Sequence, residues 1–350
     1  MISSYFMIFI TSLIISFLLI PAVKKLAKII GAMDYPGERR INKIAVPNIG
    51  GLSIYTAFVI TALIFLELNQ TLIGILIGGS IITFIGFIDD LYEISPLWKL
   101  SGQVLAAAVL IFFGIKIEFI THPLGGMFFL GNWAIPLTVI WVVSITNVVN
   151  LIDGLDGLAA GVSVIALATL FLVSLQEGQT LTAVMAITIA GSALGFLYYN
   201  FHPADIFMGD CGSMFLGYTL AAISVAGALK SAAAVTLVVP VLALGVPILD
   251  TAFAIIRRVY NNRPISEADK GHIHHRLLAL GWSQQEATLI VYLISFFLGI
   301  SALIINGSTV ENGILLTLFI FVAIIFGAWK MGIFSVELPA DQAQVEESNL

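Results

Sequence analysis

Residues 147–157 read NVVNLIDGLDG, and this stretch decides how the whole chain is interpreted. Two aspartates (Asp153, Asp156) and two asparagines (Asn147, Asn150) lie here between apolar runs, and a glycine follows each aspartate. A polar group beside hydrocarbon is destabilising unless it is hydrogen-bonded, ion-paired or bound to a metal. Ionisable residues at such a position indicate a functional site, and the glycines let backbone approach a ligand closely.

The composition indicates an integral membrane protein. The chain is 59% hydrophobic and 10% charged, with a mean hydropathy of +1.05, whereas soluble domains carry about 25% charged residues. Apolar runs of spanning length recur along the chain. We therefore predict an all-α, polytopic membrane protein with about eleven (ten to eleven) transmembrane helices. The single cysteine, Cys211, excludes an internal disulfide.

The distribution of Lys and Arg predicts the orientation. Thirteen of the fifteen fall in loops on one side, and Lys116 and Lys230 fall on the other. Because cytoplasmic loops carry the excess, we expect the N-terminus outside and the C-terminus in the cytoplasm. Residues 1–330 are expected to form one transmembrane domain, and 331–350 a short acidic cytoplasmic tail. The predicted spans are 4–23, 49–66, 71–88, 100–115, 135–150, 158–175, 181–199, 213–229, 232–252, 286–305 and 313–330.

Asp89 and Asp90 end the third predicted span. Adjacent carboxylates repel each other, and each raises the pKa of the other unless a cation lies between them. A solvated helix end explains them poorly, because acidic groups are unfavourable at the C-terminus of a helix. Glu93 follows on the same helical face. These residues are therefore candidates for a site.

A second acidic turn, FMGDCGS at residues 207–213, opens the eighth predicted span. Asp210 lies there directly before a predicted helix, where a carboxylate and free backbone N–H groups suit a metal-bound phosphate. The alternative is an ordinary N-cap. Carboxylate oxygens favour Mg²⁺ or Mn²⁺ over zinc, and Mg²⁺ binds one or two carboxylates together with substrate phosphates. We therefore expect a diphosphate substrate and, at a membrane surface, a lipid as the second reactant.

The motif HIHH at residues 272–275 lies in a basic loop. It is consistent with a zinc site, a patch for anionic lipid headgroups, or a clamp for a phosphate or sugar phosphate. We favour the clamp, because no cysteine or nearby carboxylate completes a usual zinc site. Asp250, near the inner end of the ninth predicted span, is expected to form a mainly structural ion pair with Arg257 or Arg258. The predicted outer loop 116–134 is expected to form a small hairpin.

Four motifs occur in the order and at the spacings of a known family. They are FIDD at 87–90, NxxNxxDGxDGLA at 147–159, FMGDxGS at 207–213 and HIHH at 272–275. Across residues 20–282 the chain resembles the polyprenyl-phosphate N-acetylhexosamine-1-phosphate transferases. The resemblance implies transfer of a sugar 1-phosphate from a UDP-N-acetylhexosamine to a polyprenyl phosphate, with release of UMP. It also implies the bacterial cytoplasmic (inner) membrane, with the active site on the cytoplasmic face.

The resemblance implies roles for the candidate residues as well. Asp210 matches the family's Mg²⁺ ligand, and Asp89 and Asp90 match the pair near the lipid phosphate and the metal. Glu93 departs from the family's DDxxD pattern, in which this position is aspartate. The predicted catalytic residues are Asp89, Asp90, Asp153 and Asp156. The predicted substrate-binding residues are Lys43, Asn48, Asn150, Asn200, His272, His274 and His275.

The form of the histidine motif favours one branch of the family. HIHH and the basic loop from Arg257 resemble the WecA/TagO branch, which loads phospho-GlcNAc and initiates polymers such as teichoic acid or O-antigen. The MraY branch has three consecutive histidines and loads phospho-MurNAc-pentapeptide, which is the alternative function. A lipid-phosphate or ion-coupled transporter is a remote alternative, since it would need ionisable groups at mid-membrane and symmetry-related halves. The resemblance raises the expectation of a homodimer, and no nucleic-acid partner is expected.

Two mechanisms are compatible with these residues. A phosphate monoester is mostly a dianion at neutral pH, because its second pKa is about 6. The lipid phosphate is therefore already a nucleophile, and we favour its direct attack on the sugar-bearing phosphorus. The alternative is a two-step route in which Asp89 or Asp90 becomes phosphorylated.

Overall fold

The computed structural model describes residues 2–36, 44–121, 127–228, 238–261, 264 and 271–330. Within these residues the chain forms α-helices, one short 3₁₀ turn (Gly131–Trp133) and two small antiparallel β-ribbons. The helices are α1 (Ile2–Ile30), α2 (Gly51–Phe65), α3 (Gln70–Tyr92), α4 (Pro96–Phe112), α5 (Ala134–Leu151), α6 (Leu158–Gln176), α7 (Thr180–Asn200), α8 (Asp210–Ala228), α9 (Val238–Ala243), α10 (Gly245–Tyr260), α11 (Ile273–Ala279), α12 (Gln284–Asn306) and α13 (Val310–Lys330). The strands are β1 (Met33–Asp34), β2 (Val46–Pro47), β3 (Phe119–Thr121) and β4 (Met127–Phe129).

Six helical segments of the described chain are long and apolar enough to cross a membrane. They are Ser3–Ile30, Gln70–Tyr92, Gly131–Leu151, Leu158–Gln176, Thr180–Asn200 and Gln284–Asn306. Large apolar side chains such as Phe84, Phe112 and Phe319 are exposed on helix surfaces, where water would be unfavourable and lipid is not. The prediction of an all-α polytopic membrane protein is therefore confirmed.

The predicted ninth span, 232–252, is interrupted within its described part. From residue 238 onward it consists of α9 and α10, and the chain leaves the helical path at Leu244, where φ is −99° and ψ is 19°. Pro247 explains the break, because proline has no N–H to donate and its ring collides with the carbonyl four residues earlier. That carbonyl belongs to Ala243, the last residue of α9.

Helix α8 is the buried centre of the bundle, and its first residue is Asp210, which the sequence had placed directly before the helix. It packs against α2, α3, α5 and α6. Glycines bring its N-terminus against two neighbouring helices. A Cβ on Gly86 of α3 would lie 2.5 Å from the Asp210 backbone, and a Cβ on Gly51 of α2 would overlap Gly212. Only residues without a side chain allow this approach, and it carries the end of α3 to the start of α8.

Backbone hydrogen bonds join the turn before α8 to the segment before α2. The Phe207 N–H donates to the Pro47 carbonyl at 2.8 Å, and the Gly50 N–H donates to the Phe207 carbonyl at 2.9 Å. The Gly51 N–H donates to the Met208 carbonyl at 2.8 Å. These bonds satisfy backbone groups that have no helical partner. They fix the turn that carries Asp210 at one end of the bundle, which we call the site end.

The two β-ribbons lie in connections between helices. Strands β1 and β2 pair between α1 and α2, and β3 and β4 pair within the loop from α4 to α5. The second pairing confirms the hairpin predicted for residues 116–134. The predicted acidic tail, 331–350, lies outside the described residues.

Candidate active site

Asp89, Lys99 and Asp210 form an ion cluster where α3 ends, α4 begins and α8 begins. The Lys99 Nζ lies 2.6 Å from Asp89 Oδ2 and 2.7 Å from Asp210 Oδ2. Asp89 is buried, whereas about a quarter of the Lys99 and Asp210 side chains is exposed. An ammonium between two carboxylates offsets their repulsion. We call this group the lysine cluster. Through Lys99 it links Asp89 to Asp210 and not to its sequence neighbour Asp90.

Asp90 has a different environment from Asp89. Its Oδ1 accepts from the Asp210 N–H at 2.7 Å, and its Oδ2 accepts from the Cys211 N–H at 3.0 Å. These are two of the N–H groups that a helix leaves without partners at its start, and a carboxylate there is also favoured by the helix dipole. The N-cap function considered for Asp210 is therefore supplied to α8 by Asp90.

Asn150, at the end of α5, is hydrogen-bonded to the same turn. Its Nδ2 donates to Asp210 Oδ1 at 3.0 Å and to Ser213 Oγ at 2.8 Å. Both Asp210 oxygens are therefore held, one by an amide and the other by Lys99. This arrangement fixes the orientation of a carboxylate that remains partly exposed.

A cavity of about 820 Å³ opens at the site end. Asp210 forms part of its wall, together with loop residues after α5 and α7. The predicted site residues that line it are Asn48, Asn150, Asp153, Asp156, Asn200, Asp210 and His275. Seven candidates that are far apart in sequence therefore share one cavity.

Asp153 lies in this cavity wall within the loop between α5 and α6. Burial, followed by the negative charges of Asp210 and Asp156, raises the pKa of Asp153 to about 7. The physical cause is that an ionised carboxylate loses hydration there and meets two like charges. A cation or cationic ligand in the cavity would favour the ionised form.

Asp156 is paired with a histidine. Its Oδ2 lies 2.7 Å from His202 Nδ1 and accepts from the Ala204 N–H at 3.1 Å. The backbone carbonyl of His202 accepts from Gln285 Nε2, at the start of α12, at 2.9 Å. Both Asp156 and His202 line the cavity. Within the described residues, Asp156 Oδ1 accepts no hydrogen bond, so one oxygen is held and the other is available to a ligand.

Asn200 is buried and joins the two loops of the cavity wall. Its Oδ1 accepts from the Gly157 N–H at 3.1 Å, and its Nδ2 donates to the Ile206 carbonyl at 2.9 Å. The Tyr292 hydroxyl of α12 donates to the Gly157 carbonyl at 2.5 Å. Gly157 has a φ of 76°, a conformation that favours glycine. These bonds hold the turn that presents Asp156.

The three histidines have different positions. His275 lines the cavity. His274 is buried and lies against Gly154, whose added Cβ would be 2.7 Å from His274 Nε2. Burial, aided by the neighbouring His275, lowers the pKa of His274 to about 3, so its ring is neutral. His272 is buried too, and its Nδ1 lies 2.8 Å from Asp250 Oδ2.

Three other residues were candidates from the sequence: Asn48, Glu93 and Lys43. Asn48 Nδ2 lies 3.5 Å from Asp90 Oδ1, at the outer limit of a hydrogen bond. Glu93 has left the helical path, with a φ of 48°, and its N–H donates to the Asp89 carbonyl. Lys43 lies outside the described residues.

Comparisons with known proteins identify the family of the chain. Residues 72–228 match the family model described as glycosyl transferase family 4. Over 323 residues the chain is 46% identical to the probable undecaprenyl-phosphate N-acetylglucosaminyl 1-phosphate transferase of Bacillus subtilis, covering 91% of this chain and 88% of the relative. The chain belongs to glycosyl transferase family 4.

Two further members of the family are more distant in sequence. The decaprenyl-phosphate N-acetylglucosaminephosphotransferase of Mycobacterium leprae is 35% identical, over 81% of this chain and 79% of the relative. The phospho-N-acetylmuramoyl-pentapeptide-transferase of a Thermoanaerobacter species is 34% identical, over 84% of this chain and 96% of the relative.

The family resemblance implied Mg²⁺, and the residues at the lysine cluster fit a hard cation. Among the described residues no three His, Cys, Asp or Glu side chains are grouped closely enough to hold a metal by themselves. Mg²⁺ does not require such a group, because substrate phosphates and water commonly complete its octahedral coordination. Asp89 Oδ1 is a buried carboxylate oxygen without a hydrogen-bond partner in the described chain. The carboxylate oxygens of Asp89 and Asp210 are hard ligands, which suit Mg²⁺ better than a softer metal.

Two contacts in this family member were missed by sequence reasoning. Lys99 was counted only as a loop charge, although it follows Asp90 by nine residues and begins α4 near a cluster that needs a cation. His202 precedes a proline in a polar loop, and no local pattern connects it with Asp156. The requirement for charge neutrality could have identified Lys99. No comparable signal exists for His202.

Proposed function

We propose that this protein transfers N-acetylglucosamine 1-phosphate from UDP-GlcNAc to undecaprenyl phosphate, giving undecaprenyl-diphosphate-GlcNAc and UMP. The observation that carries the proposal is the position of Asp210, which belongs to both the cavity wall and the lysine cluster. The name of the Bacillus subtilis relative supports the same donor sugar and lipid acceptor. The product would be the first lipid-linked sugar of a cell-surface polymer.

The donor fits the cavity. Its volume of about 820 Å³ falls within the range of small-molecule sites, about 300–1,000 Å³. Asp156 and His202 offer an acceptor and an imidazole that can hydrogen-bond a nucleotide, while His275 offers an imidazole for a phosphate or sugar. The diphosphate would then extend towards Asp210, where the lysine cluster begins.

The lipid phosphate would approach the lysine cluster. In the proposed step, one of its oxygens attacks the sugar-bearing phosphorus of the donor. The bond from that phosphorus to the bridging oxygen breaks, and the bridging oxygen leaves with UMP. Lys99 would neutralise charge on the phosphates, and Asp89 would orient the lipid phosphate or accept a remaining proton. Phosphoryl transfer depends mainly on such positioning and neutralisation.

Asp210 and Asp89 are the residues that would hold Mg²⁺, with the side-chain oxygen of Asn150 as a further ligand after a flip of its amide. When bound, the ion would stabilise negative charge on the diphosphate and the leaving group. Lys99 lies between both carboxylates in the protein alone. The ammonium would therefore move towards the phosphates when the metal and substrate bind.

The arrangement in the membrane is part of the proposal. The excess of Lys and Arg at predicted loops of the site end supports a cytoplasmic active site. We infer the bacterial inner membrane from the bacterial relatives, and eleven spans from the apolar runs. The homodimer expected from the family remains a prediction.

The test is UMP release by purified protein in detergent. UDP-GlcNAc, UDP-GalNAc and UDP-MurNAc-pentapeptide would be compared as donors, with and without undecaprenyl phosphate, and with Mg²⁺ or a chelator. We expect release that needs lipid, metal and Asp210, so that Asp210→Ala lowers turnover about 10³-fold or more. Glu118→Gln, an exposed charge paired with Lys116, is the control.

The alternative outcomes are distinct. Turnover only with the pentapeptide donor would assign the protein to the alternative branch. A burst of UMP without lipid would favour the two-step route through an aspartyl phosphate. No release with any donor, from folded protein that binds lipid phosphate, would favour transport and overturn the proposal.

A further inference from the structure

Asp250, on α10, holds the start of the histidine segment (residues 272–279). Its Oδ2 lies 2.8 Å from His272 Nδ1, and its Oδ1 accepts from the Ile273 N–H at 2.8 Å. Asp250 and His272 are both buried. A carboxylate oxygen at this distance suits the tautomer of His272 that carries its proton on Nδ1. One carboxylate therefore receives a side-chain donor and a backbone donor from the same segment.

The histidine segment passes from this carboxylate to the cavity through contacts between rings. The rings of His272 and His274 are nearly parallel, at 7°, with centroids 5.8 Å apart. The rings of His274 and His275 are 4.3 Å apart. His274 is 2% exposed, has no partner for Nδ1 within the described residues, and lies on Gly154 of the cavity loop. It therefore packs as a spacer between the segment and that loop.

We propose that Asp250 is a positioning residue for the donor substrate. It fixes the histidine segment on α10, so that His274 rests on the cavity loop and His275 lines the cavity. Asp250 acts through His275 and does not touch the substrate itself. This inference rests on the proposed transferase function, because the donor is the ligand that His275 would contact.

The isosteric variant Asp250→Asn isolates this role. In Asp250 the two bonds are made at different oxygens, and in an asparagine one of these two positions carries an NH₂ group, which cannot accept. Either the segment loses one bond, or the His272 proton moves to the other nitrogen. The first case removes a bond, and the second replaces a charge-assisted bond by a weaker neutral one. In both cases the position of His275 is less well fixed, while the volume of the side chain at position 250 is nearly unchanged.

The experiment measures UDP-GlcNAc binding at equilibrium and then UMP release. The proteins are the wild type, Asp250→Asn, His275→Ala, the double variant, and Glu118→Gln as the charge-matched control. Loss of a group that orients a metal-binding imidazole costs about 10–100-fold in affinity or activity, and we take the low end of that range for a substrate-binding imidazole. We expect Asp250→Asn to raise the Kd and KM for UDP-GlcNAc at least about tenfold, with the KM for lipid unchanged and a smaller effect on kcat.

The double variant distinguishes positioning from general support of the fold. If Asp250 acts through His275, the double variant binds the donor no more than about twofold more weakly than His275→Ala alone. If the Kd of the double variant instead rises by the product of the two single effects, the inference is overturned. It is also overturned if Asp250→Asn binds the donor as tightly as the wild type. Failure of Asp250→Asn to fold, when His275→Ala and the control do fold, would assign Asp250 a structural role and also overturn it.

The behaviour of the wild-type protein separates this inference from the proposed function. Donor binding and lipid-dependent release by the wild type support the function whatever Asp250→Asn does. A wild type that binds UDP-GlcNAc but releases no UMP would contradict the function, while the binding comparison would still decide the role of Asp250. A wild type that does not bind the donor would overturn both.

Discussion

The lysine cluster and the histidine side of the cavity use ionisable groups in different ways. In the lysine cluster, Lys99 contacts two carboxylates directly, and part of the group is exposed. On the histidine side, His274 is buried and neutral, and His275 lines the cavity. Exposed opposite charges can exchange partners with phosphates, whereas a buried neutral ring mainly fixes the position of the segments that pack against it. We infer that the first region governs turnover and the second governs donor binding.

The largest expected effect in this comparison is at Lys99. Lys99→Met should lower kcat about 10²–10³-fold, the usual loss when a group that stabilises transition-state charge is removed. The KM for UDP-GlcNAc should change much less. Steady-state UMP release measures both constants, and Lys99→Arg should retain part of the activity because it keeps the charge. Full turnover by Lys99→Met would remove the lysine cluster from the mechanism.

A smaller effect is expected at His202. His202→Ala removes the hydrogen bond to Asp156, while the Ala204 N–H continues to hold the same oxygen. A hydrogen bond to a charged group contributes about 1.5–3 kcal/mol, and the remaining bond limits the rise in donor KM to about tenfold. The kcat should stay near the wild-type value. If kcat falls as far as in Lys99→Met, the two regions do not divide turnover from binding.

The neighbours Asp89 and Asp90 provide a test within one turn of helix. Asp90→Ala leaves two buried N–H groups at the start of α8 without their acceptor, at a cost of about 0.5–2 kcal/mol. Asp89→Ala should stop turnover but leave the thermal unfolding midpoint closer to that of the wild type. Thermal unfolding in detergent and UMP release measure the two properties. Equal losses of stability would contradict the different roles assigned to these residues.

The smallest effect concerns pH. The pKa of His274 is about 3 in the folded protein and about 6.5 in the unfolded chain. As pH falls below about 6.5, the unfolded chain binds a proton that the folded protein excludes, so the folded state loses stability. Asp153, whose pKa is raised to about 7, changes stability in the opposite direction in both proteins. The test is therefore the difference between them: from pH 8 to pH 5 the unfolding midpoint of the wild type should fall relative to that of His274→Asn. Equal slopes in both proteins would show that His274 is not buried in a neutral form.

Much of the architecture could be predicted because its causes are local. Apolar runs set the positions of the helices, and the start of α8 was predicted to within one residue, directly after Asp210. The break at Leu244 could have been found as well, since the responsible proline, Pro247, is three residues away.

The sequence by itself determined the family motifs, the membrane class and seven residues of the cavity wall. Only the tertiary structure decided which of them are partners. Lys99 and Asp210 are 111 positions apart, and Asp90 and the Asp210 N–H are 120 apart. Adjacent Asp89 and Asp90 therefore carry different partners, and Asp250 contacts His272 across 22 positions of sequence. The reason is that side-chain pairing depends on distances between packed helices, which no local pattern of residues contains.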